Sequence, residues 1–230
     1  MQTAPGGRRV MQYGPLTITY DDRVLRPRQW TVAQATWAAS LLRASPPGEV
    51  LELCSGAGHI GLLALSGSGR RLVQVDACAT ACEFARANAS TAGRGQLVDV
   101  RLGEMHDVLE VHERFVGVIA DPPWVPSGAT SRYPEDPLMA IHGGPDGLDV
   151  AWGCLRVGAD HLVEHGWMLL QLGTRDQVET LAARLAAEPR LSLEIVETRM
   201  YEGGAVVRLA HAGEHVRSRS PASRTGLPAG

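Results

Sequence analysis

The residues best equipped for chemistry are Asp121, Pro122, Pro123 and Trp124, directly after the apolar run 115–120. Two prolines remove two N–H donors, fix the backbone and leave carbonyls free to accept. Asp121 adds a carboxylate acceptor, and Trp124 adds a flat apolar face. The set suits a planar, N–H-bearing group, held by two hydrogen bonds while an aromatic ring stacks on it. A second cluster is Glu52-Leu53-Cys54-Ser55-Gly56-Ala57-Gly58-His59, where an apolar run passes into a turn of small residues. Such a turn lets a ligand press on the backbone near a helix N-terminus. It would serve a dinucleotide or a nucleoside. Cys54 stands where the dinucleotide fingerprint wants its first glycine, and Glu52 could meet a cationic ligand; both details favour the nucleoside. Asp76 closes the next apolar run, where a carboxylate accepts the two hydroxyls of a ribose. Glu104 and Met105 follow the third, an acceptor for an adenine amine and a cover for its ring.

These residues need elements to hold them. Residues 16–20 and 23–26 read as a hairpin around Asp21-Asp22. Helices are expected over 31–43, 58–65, 79–91, 148–164 and 175–187, with Thr174 and Gln177 as a capping box for the last. Strands are expected over 49–54, 71–76, 96–102, 115–120, 167–172, 191–198 and 204–210, the last two antiparallel. Alternating strands and helices imply a mostly parallel sheet covered on both faces. Ligands of such folds bind beyond the carboxyl ends of the strands, which is where the residues above fall. The long loop 121–147 carries Tyr133, Glu135, Asp136 and His142, and loops of that length in a compact domain are commonly functional.

Composition narrows the classes. The chain has 230 residues, 44% hydrophobic and 20% charged, which excludes a disordered or collagen-like protein. All 22 basic residues are arginine, which excludes lysine Schiff-base and pyridoxal phosphate chemistry. Residues 1–12 and 211–230 read as tails around one domain, 13–210. The tails hold five arginines and one glutamate, leaving 17 basic and 24 acidic residues, a charge of −7, in that domain. Duplex nucleic acid, which asks for a basic face, is therefore not the expected partner. The four cysteines, Cys54, Cys78, Cys82 and Cys154, form no C-x-x-C unit. They read as thiols of a reducing cytoplasm, with no metal site expected. No apolar stretch reaches membrane-spanning length, and no secretory signal is visible.

Three stretches resemble the HemK/PrmC-type protein-glutamine N-methyltransferases, within the class I S-adenosylmethionine-dependent methyltransferases. Pro27-Arg28-Gln29-Trp30-Thr31 is similar to the family's P-R-x-x-T/E segment. Asp121-Pro122-Pro123-Trp124 is similar to its N-P-P-Y motif. His142-Gly143-Gly144-Pro145-Asp146-Gly147-Leu148-Asp149 is similar to its G-G-x-D-G-L segment, the most family-specific of the three. The resemblance implies a Rossmann-like class I fold: seven mostly parallel strands, an antiparallel last strand, and helices on both faces. S-adenosylmethionine is then the implied cofactor. Residues 54–58 would hold its methionine part, with Glu52 beside them. Asp76 would hold its ribose, and Glu104 and Met105 its adenine. Asp121 to Trp124 would seat the methyl-accepting nitrogen, with Arg28, Thr31, Trp124 and His142 toward the substrate. Asp121 replaces the family's asparagine and Trp124 its tyrosine. With about 30 residues before the first helix, the helical N-terminal domain of release-factor methyltransferases is not expected. The acceptor is then a protein glutamine or a small metabolite. An adenine in nucleic acid and a non-catalytic cofactor-binding module are the alternatives.

Overall fold

The computed structural model describes residues 7–213. A two-stranded hairpin, β1 (Arg9–Tyr13) and β2 (Leu16–Tyr20), precedes α1 (Val32–Ala44). Then follow β3 (Val50–Leu53), α2 (His59–Ala64), β4 (Leu72–Asp76), α3 (Ala79–Thr91), β5 (Val98–Leu102) and β6 (Phe115–Ala120). The short α4 (Leu138–Ile141) interrupts the long loop. α5 (Asp149–His161), β7 (Leu162–Leu172), α6 (Arg175–Ala187), β8 (Leu193–Tyr201) and β9 (Gly204–His211) complete the chain. The main sheet runs β5-β4-β3-β6-β7-β9-β8. Its first five strands are parallel, and β9 lies antiparallel between β7 and β8. β3 and β6 are neighbours with helices leaving to opposite sides. The order switch therefore lies at their carboxyl ends, and a crevice opens there.

Alternation along the strands builds two apolar layers. Leu51, Leu53, Val118 and Leu170 pack with Leu155 of α5 and Leu181 of α6. Val50, Ile119 and Leu169 pack on the opposite face with Trp37 and Leu42 of α1 and Ile60 of α2. A smaller cluster joins Tyr13 and Ile18 of the hairpin to Phe84 of α3. Asn88 on α3 ties the hairpin down by accepting from Thr19 N–H at 2.8 Å and donating to the Thr19 carbonyl at 3.0 Å.

Three boundaries differ from the sequence reading. The hairpin pairs 9–13 with 16–20 and turns at Gly14, which takes a left-handed φ of +57° before Pro15. Residues 9–12, expected in a tail, are therefore strand. Residues 23–26 form no strand. Asp21 accepts from Arg23 N–H at 2.9 Å, an Asx turn that sends this segment along the crevice. The helix expected to reach 164 ends at His161, because Leu162 is already paired with Phe115 of β6. His211, also expected in a tail, closes β9, and residues 1–6 and 214–230 of the expected tails lie outside the described residues.

Candidate functional site

The first wall is the turn after β3. Cys54, Gly56 and Gly58 take φ of +55°, +52° and +78°, so the chain doubles back tightly before α2. Asp76, at the end of β4, braces this turn. One carboxylate oxygen accepts from Gly56 N–H at 2.7 Å and the other from Cys78 N–H at 2.9 Å. Burial raises the Asp76 carboxyl above the ordinary aspartate range, against those two donors. Cys54, Ser55, Gly56 and Asp76 line one cavity of about 260 Å³ with Glu104 and Met105. Asp121 and Pro123 close it from the end of β6.

A second cavity of about 500 Å³ lies beyond Asp121. Pro122, Trp124, Tyr133 and Thr174 line it, with Trp30 and Glu202 at its edge. Leu25, Arg28, Asp121 and Ala140 line both cavities, so the two adjoin at these four residues. Burial pushes the Asp121 carboxyl up to about 7. Arg28 donates to Asp136 at 2.7 Å and spans the opening between residues 23–28 and the loop before α4.

The loop bearing Trp124 is held from below by the Gly143–Leu148 stretch. Gly143 N–H donates to the Val125 carbonyl at 2.9 Å, and Ser127 N–H to the Gly144 carbonyl at 2.9 Å. Gln177 of α6 donates to the carbonyls of Trp124 at 2.8 Å and Asp146 at 3.0 Å. Its side-chain oxygen accepts from Gly173 N–H at 2.9 Å, while Thr174 accepts from Gln177 N–H at 3.1 Å. The capping box thus closes one residue early and its amide is spent on the Trp124 loop. Arg184 pairs with Asp146 on the same brace. Gly173 lies against the Trp124 ring, where any Cβ would collide with the indole.

Most of the expected site residues meet here, and five do not. Glu52 is buried beneath α2. Strand alternation puts it on the α1–α2 face, where it accepts from Gly61 N–H at 3.0 Å and Gln74 at 2.6 Å. Ala57 and Gly58 shape the turn but face α3 and Gln74. Thr31 is buried, donating to the Arg28 carbonyl and meeting the Tyr13 hydroxyl, both at 2.7 Å. His142 is solvent-exposed and contacts Ser127 at 3.0 Å. The Thr31 and His142 side chains therefore line neither cavity, although Arg28 and Trp30 of the Thr31 segment do.

Residues 24–26 were missed as lining. Strand propensity in 23–26 masked the Asx turn at Asp21 that would have revealed them. Pro137 and Met139, before and within α4, were missed because nothing in the sequence says which way that turn faces. His59 does line the first cavity, and burial drops its imidazole to about 3, so it stands there neutral.

S-adenosylmethionine can be tested against this geometry. A Cβ on Gly56 would meet nothing, so the turn leaves open room for a ligand. The Ser55 hydroxyl beside it is buried without a partner among the described residues. The Asp76 carboxylate ends the adjacent strand in the same cavity. An open turn, an unspent hydroxyl and a strand-end carboxylate suit a nucleoside carrying an amino-acid arm.

No protein-family model matches the chain. Curated proteins do. The chain is 31% identical over 184 residues to a release factor glutamine methyltransferase of Deinococcus radiodurans, covering 76% of this chain and 63% of that protein. It is 28% identical over 179 residues to a ribosomal protein uL3 glutamine methyltransferase of Burkholderia pseudomallei, covering 73% of this chain and 56% of that one. The chain thus spans about three fifths of the length of these relatives. Among solved structures it superposes on a ribosomal protein L11 methylase of Lactobacillus delbrueckii subsp. bulgaricus with a TM-score of 0.61 at 13% identity, over 84% of this chain and 83% of that one. It also superposes on a human methyltransferase 10 domain containing protein with a TM-score of 0.59 at 14% identity, over 86% and 89%. In fold, then, the chain resembles these solved methyltransferases, and in sequence it is similar to the release factor and ribosomal protein uL3 glutamine methyltransferases.

Proposed function

We propose that this protein is an S-adenosylmethionine-dependent N-methyltransferase whose acceptor is the side-chain amide of a glutamine in a protein. The observation that carries this is the position of Asp121. Its carboxyl is the acidic group that lines both the cavity bearing Gly56 and Asp76 and the cavity bearing Trp124. The two relatives above are named for glutamine methylation, on release factors and on ribosomal protein uL3.

When bound, S-adenosylmethionine supplies an electrophilic methyl group on a sulfonium. This chain's residues supply the rest. Ser55, Gly56 and Asp76 hold the nucleoside side, with Glu104 and Met105 toward the base. The Asp121 carboxylate and the Pro122 carbonyl accept the two amide hydrogens, and the Trp124 indole lies against the amide plane. An amide nitrogen is a weak nucleophile because its lone pair is delocalised into the carbonyl. Acceptors on its hydrogens become more favourable as positive charge develops there, so they lower the barrier. Holding the nitrogen at the junction of the cavities would convert an encounter into an oriented attack, and the Asp121 carboxylate would take the proton the nitrogen loses as the methyl is transferred and the thioether leaves.

The test is transfer of a tritiated methyl group from S-adenosylmethionine to glutamine-containing peptides, with matched asparagine peptides as controls. Label on the glutamine peptides alone is the expected result. Label appearing instead on small metabolites or on adenine-containing oligonucleotides would replace this acceptor assignment.

A further inference from the structure

Residues 126–140 form a loop that closes on its own neck. Val125 and Ile141 are buried at its two ends, and Val125 N–H donates to the Ile141 carbonyl at 2.9 Å. No residue between them is buried, and Leu138 and Met139 of α4 are 60% and 64% exposed. Yet this loop walls both cavities. Pro137, Met139 and Ala140 line the first, and Tyr133, Asp136 and Ala140 line the second. Compact loops with a narrow neck and few buried contacts open at low cost.

One ion pair holds the loop down. A single amino group of Arg28 donates to both carboxylate oxygens of Asp136, at 2.7 Å and 2.5 Å. The Asp136 side chain is only 6% exposed and that of Arg28 26%. Among the described residues, no other hydrogen bond or ion pair joins residues 126–140 to a residue outside 125–144. The two ends of the pair differ in rigidity. Arg28 hangs from a fixed post, since its carbonyl accepts from the Thr31 N–H at 3.1 Å and the Thr31 hydroxyl at 2.7 Å. Thr31 in turn meets the hydroxyl of Tyr13, a fully buried residue of β1. Asp136 belongs to the loop itself. Removing either partner leaves the other enclosed and unpaired, which favours release of the loop.

We propose that Arg28 and Asp136 are positioning residues whose ion pair latches residues 126–140 as a lid over both cavities, closed while the methyl group is transferred and open while the nucleoside is exchanged. The proposal rests on the S-adenosylmethionine reading above. A latched lid completes the acceptor wall at Tyr133 and Asp136 and retains the nucleoside at Pro137 and Met139. An open lid removes both walls together. The pair therefore couples two cavities that Asp76 and Trp124 serve separately. Asp136 discriminates best between a latch and a direct ligand contact. It lines the second cavity and not the first, so its effect on nucleoside release must travel through the lid.

The experiment measures S-adenosylhomocysteine dissociation from the full chain by surface plasmon resonance, together with trypsin cleavage after Arg132, an exposed residue of the lid. Asp136→Ala and Arg28→Gln should each speed dissociation by about tenfold. The double variant should be no faster than about twice the faster single variant, because one latch cannot be opened twice. S-adenosylhomocysteine should slow cleavage after Arg132 by about fivefold in the unaltered protein and by less than about twofold in Asp136→Ala, while both keep a cooperative thermal transition. Arg28→Lys keeps the charge, should dissociate at a rate between those of the unaltered and Arg28→Gln proteins, and carries the test if Arg28→Gln does not fold. Dissociation from Asp136→Ala within about twofold of the unaltered rate overturns the proposal, as does a double variant whose acceleration approaches the product of the single ones. Failure of the unaltered protein to bind S-adenosylhomocysteine would instead remove the cofactor reading itself, so the two failures are distinguishable.

Discussion

At the scale of single residues, Asp76 and Asp121 show how one side-chain type takes two roles from its surroundings. Asp76 ends a strand and is locked by two backbone N–H groups, so it shapes the turn and still faces the cavity. Asp76→Ala should weaken S-adenosylhomocysteine binding by about thirtyfold in calorimetry, since a charge-accepting anchor and the turn's brace are lost together. An affinity within about threefold of the unaltered protein would remove its ribose role. Asp121 has no side-chain partner among the described residues, and it is a stronger acceptor of an amide hydrogen, and able to take a proton, when ionised. Because its carboxyl stands at about 7, methyl transfer at limiting substrate should rise with pH through that region and level off above it. A flat profile between about pH 6 and about pH 8 would mean that its ionisation does not matter. Trp124 should act on the acceptor alone. Trp124→Ala is expected to raise the acceptor KM about tenfold while leaving S-adenosylhomocysteine affinity nearly unchanged.

At the scale of elements, the acceptor loop is precise because something else is rigid. Gly143–Leu148 and the start of α6 hold the carbonyls of Trp124, Val125 and Asp146. Gly147 shows why this stretch tolerates so little. It takes a φ of +82°, and a Cβ there would collide with the Trp124 carbonyl oxygen. Gly147→Ala should cost about 2 kcal/mol or more, seen as a Tm fall of about 5 °C, from left-handed strain plus the displaced loop. It should also lower methyl transfer more than it lowers S-adenosylhomocysteine binding, because the brace lies on the acceptor side. Equal losses in both would show that the two cavities are not separately supported. Two expected substrate-side residues stand away from the cavities. Thr31 and His142 belong to family-like segments, yet the Thr31 hydroxyl holds the Arg28 carbonyl and the exposed His142 ring meets the Ser127 hydroxyl, and neither lines a cavity.

Over the whole molecule, burying acids beneath a ligand site has a stability consequence. Glu52 is raised to about 7 from an ordinary value of 4.5. Its folded form therefore binds a proton that the unfolded form has lost. The stability tied to that proton is complete below the unfolded value and disappears as pH rises through about 7. Glu52→Gln carries no such charge and keeps an acceptor for Gly61 N–H. Relative to the unaltered protein, it should gain stability by an amount on the order of 3 kcal/mol between about pH 4 and about pH 8, read from urea unfolding at each pH. A difference independent of pH would show that Glu52 is not ionising within the fold.

The amino-acid sequence determined the element order, the seven-stranded sheet and most of one cavity. Small residues after β3, Asp76, Glu104 and the Asp-Pro-Pro-Trp run each follow a strand in the chain, and a parallel sheet gathers all such positions at one end. These are local signals: an apolar run, then a residue that breaks it. Tertiary structure decided what depends on direction and on distant partners. Whether Glu52 meets a ligand or Gln74 is set by which face of β3 it occupies against β4. Whether residues 23–26 continue a hairpin or line a crevice is set by the Asx turn at Asp21 and by where β1 finds its partner. The adjoining of the two cavities at Leu25, Arg28, Asp121 and Ala140 is decided the same way, since it needs α4, the Arg28–Asp136 pair and the Gly143–Leu148 brace to arrive from remote parts of the chain. Periodicity reports how a segment folds on itself, but only packing between segments settles which side chains are left facing an open space.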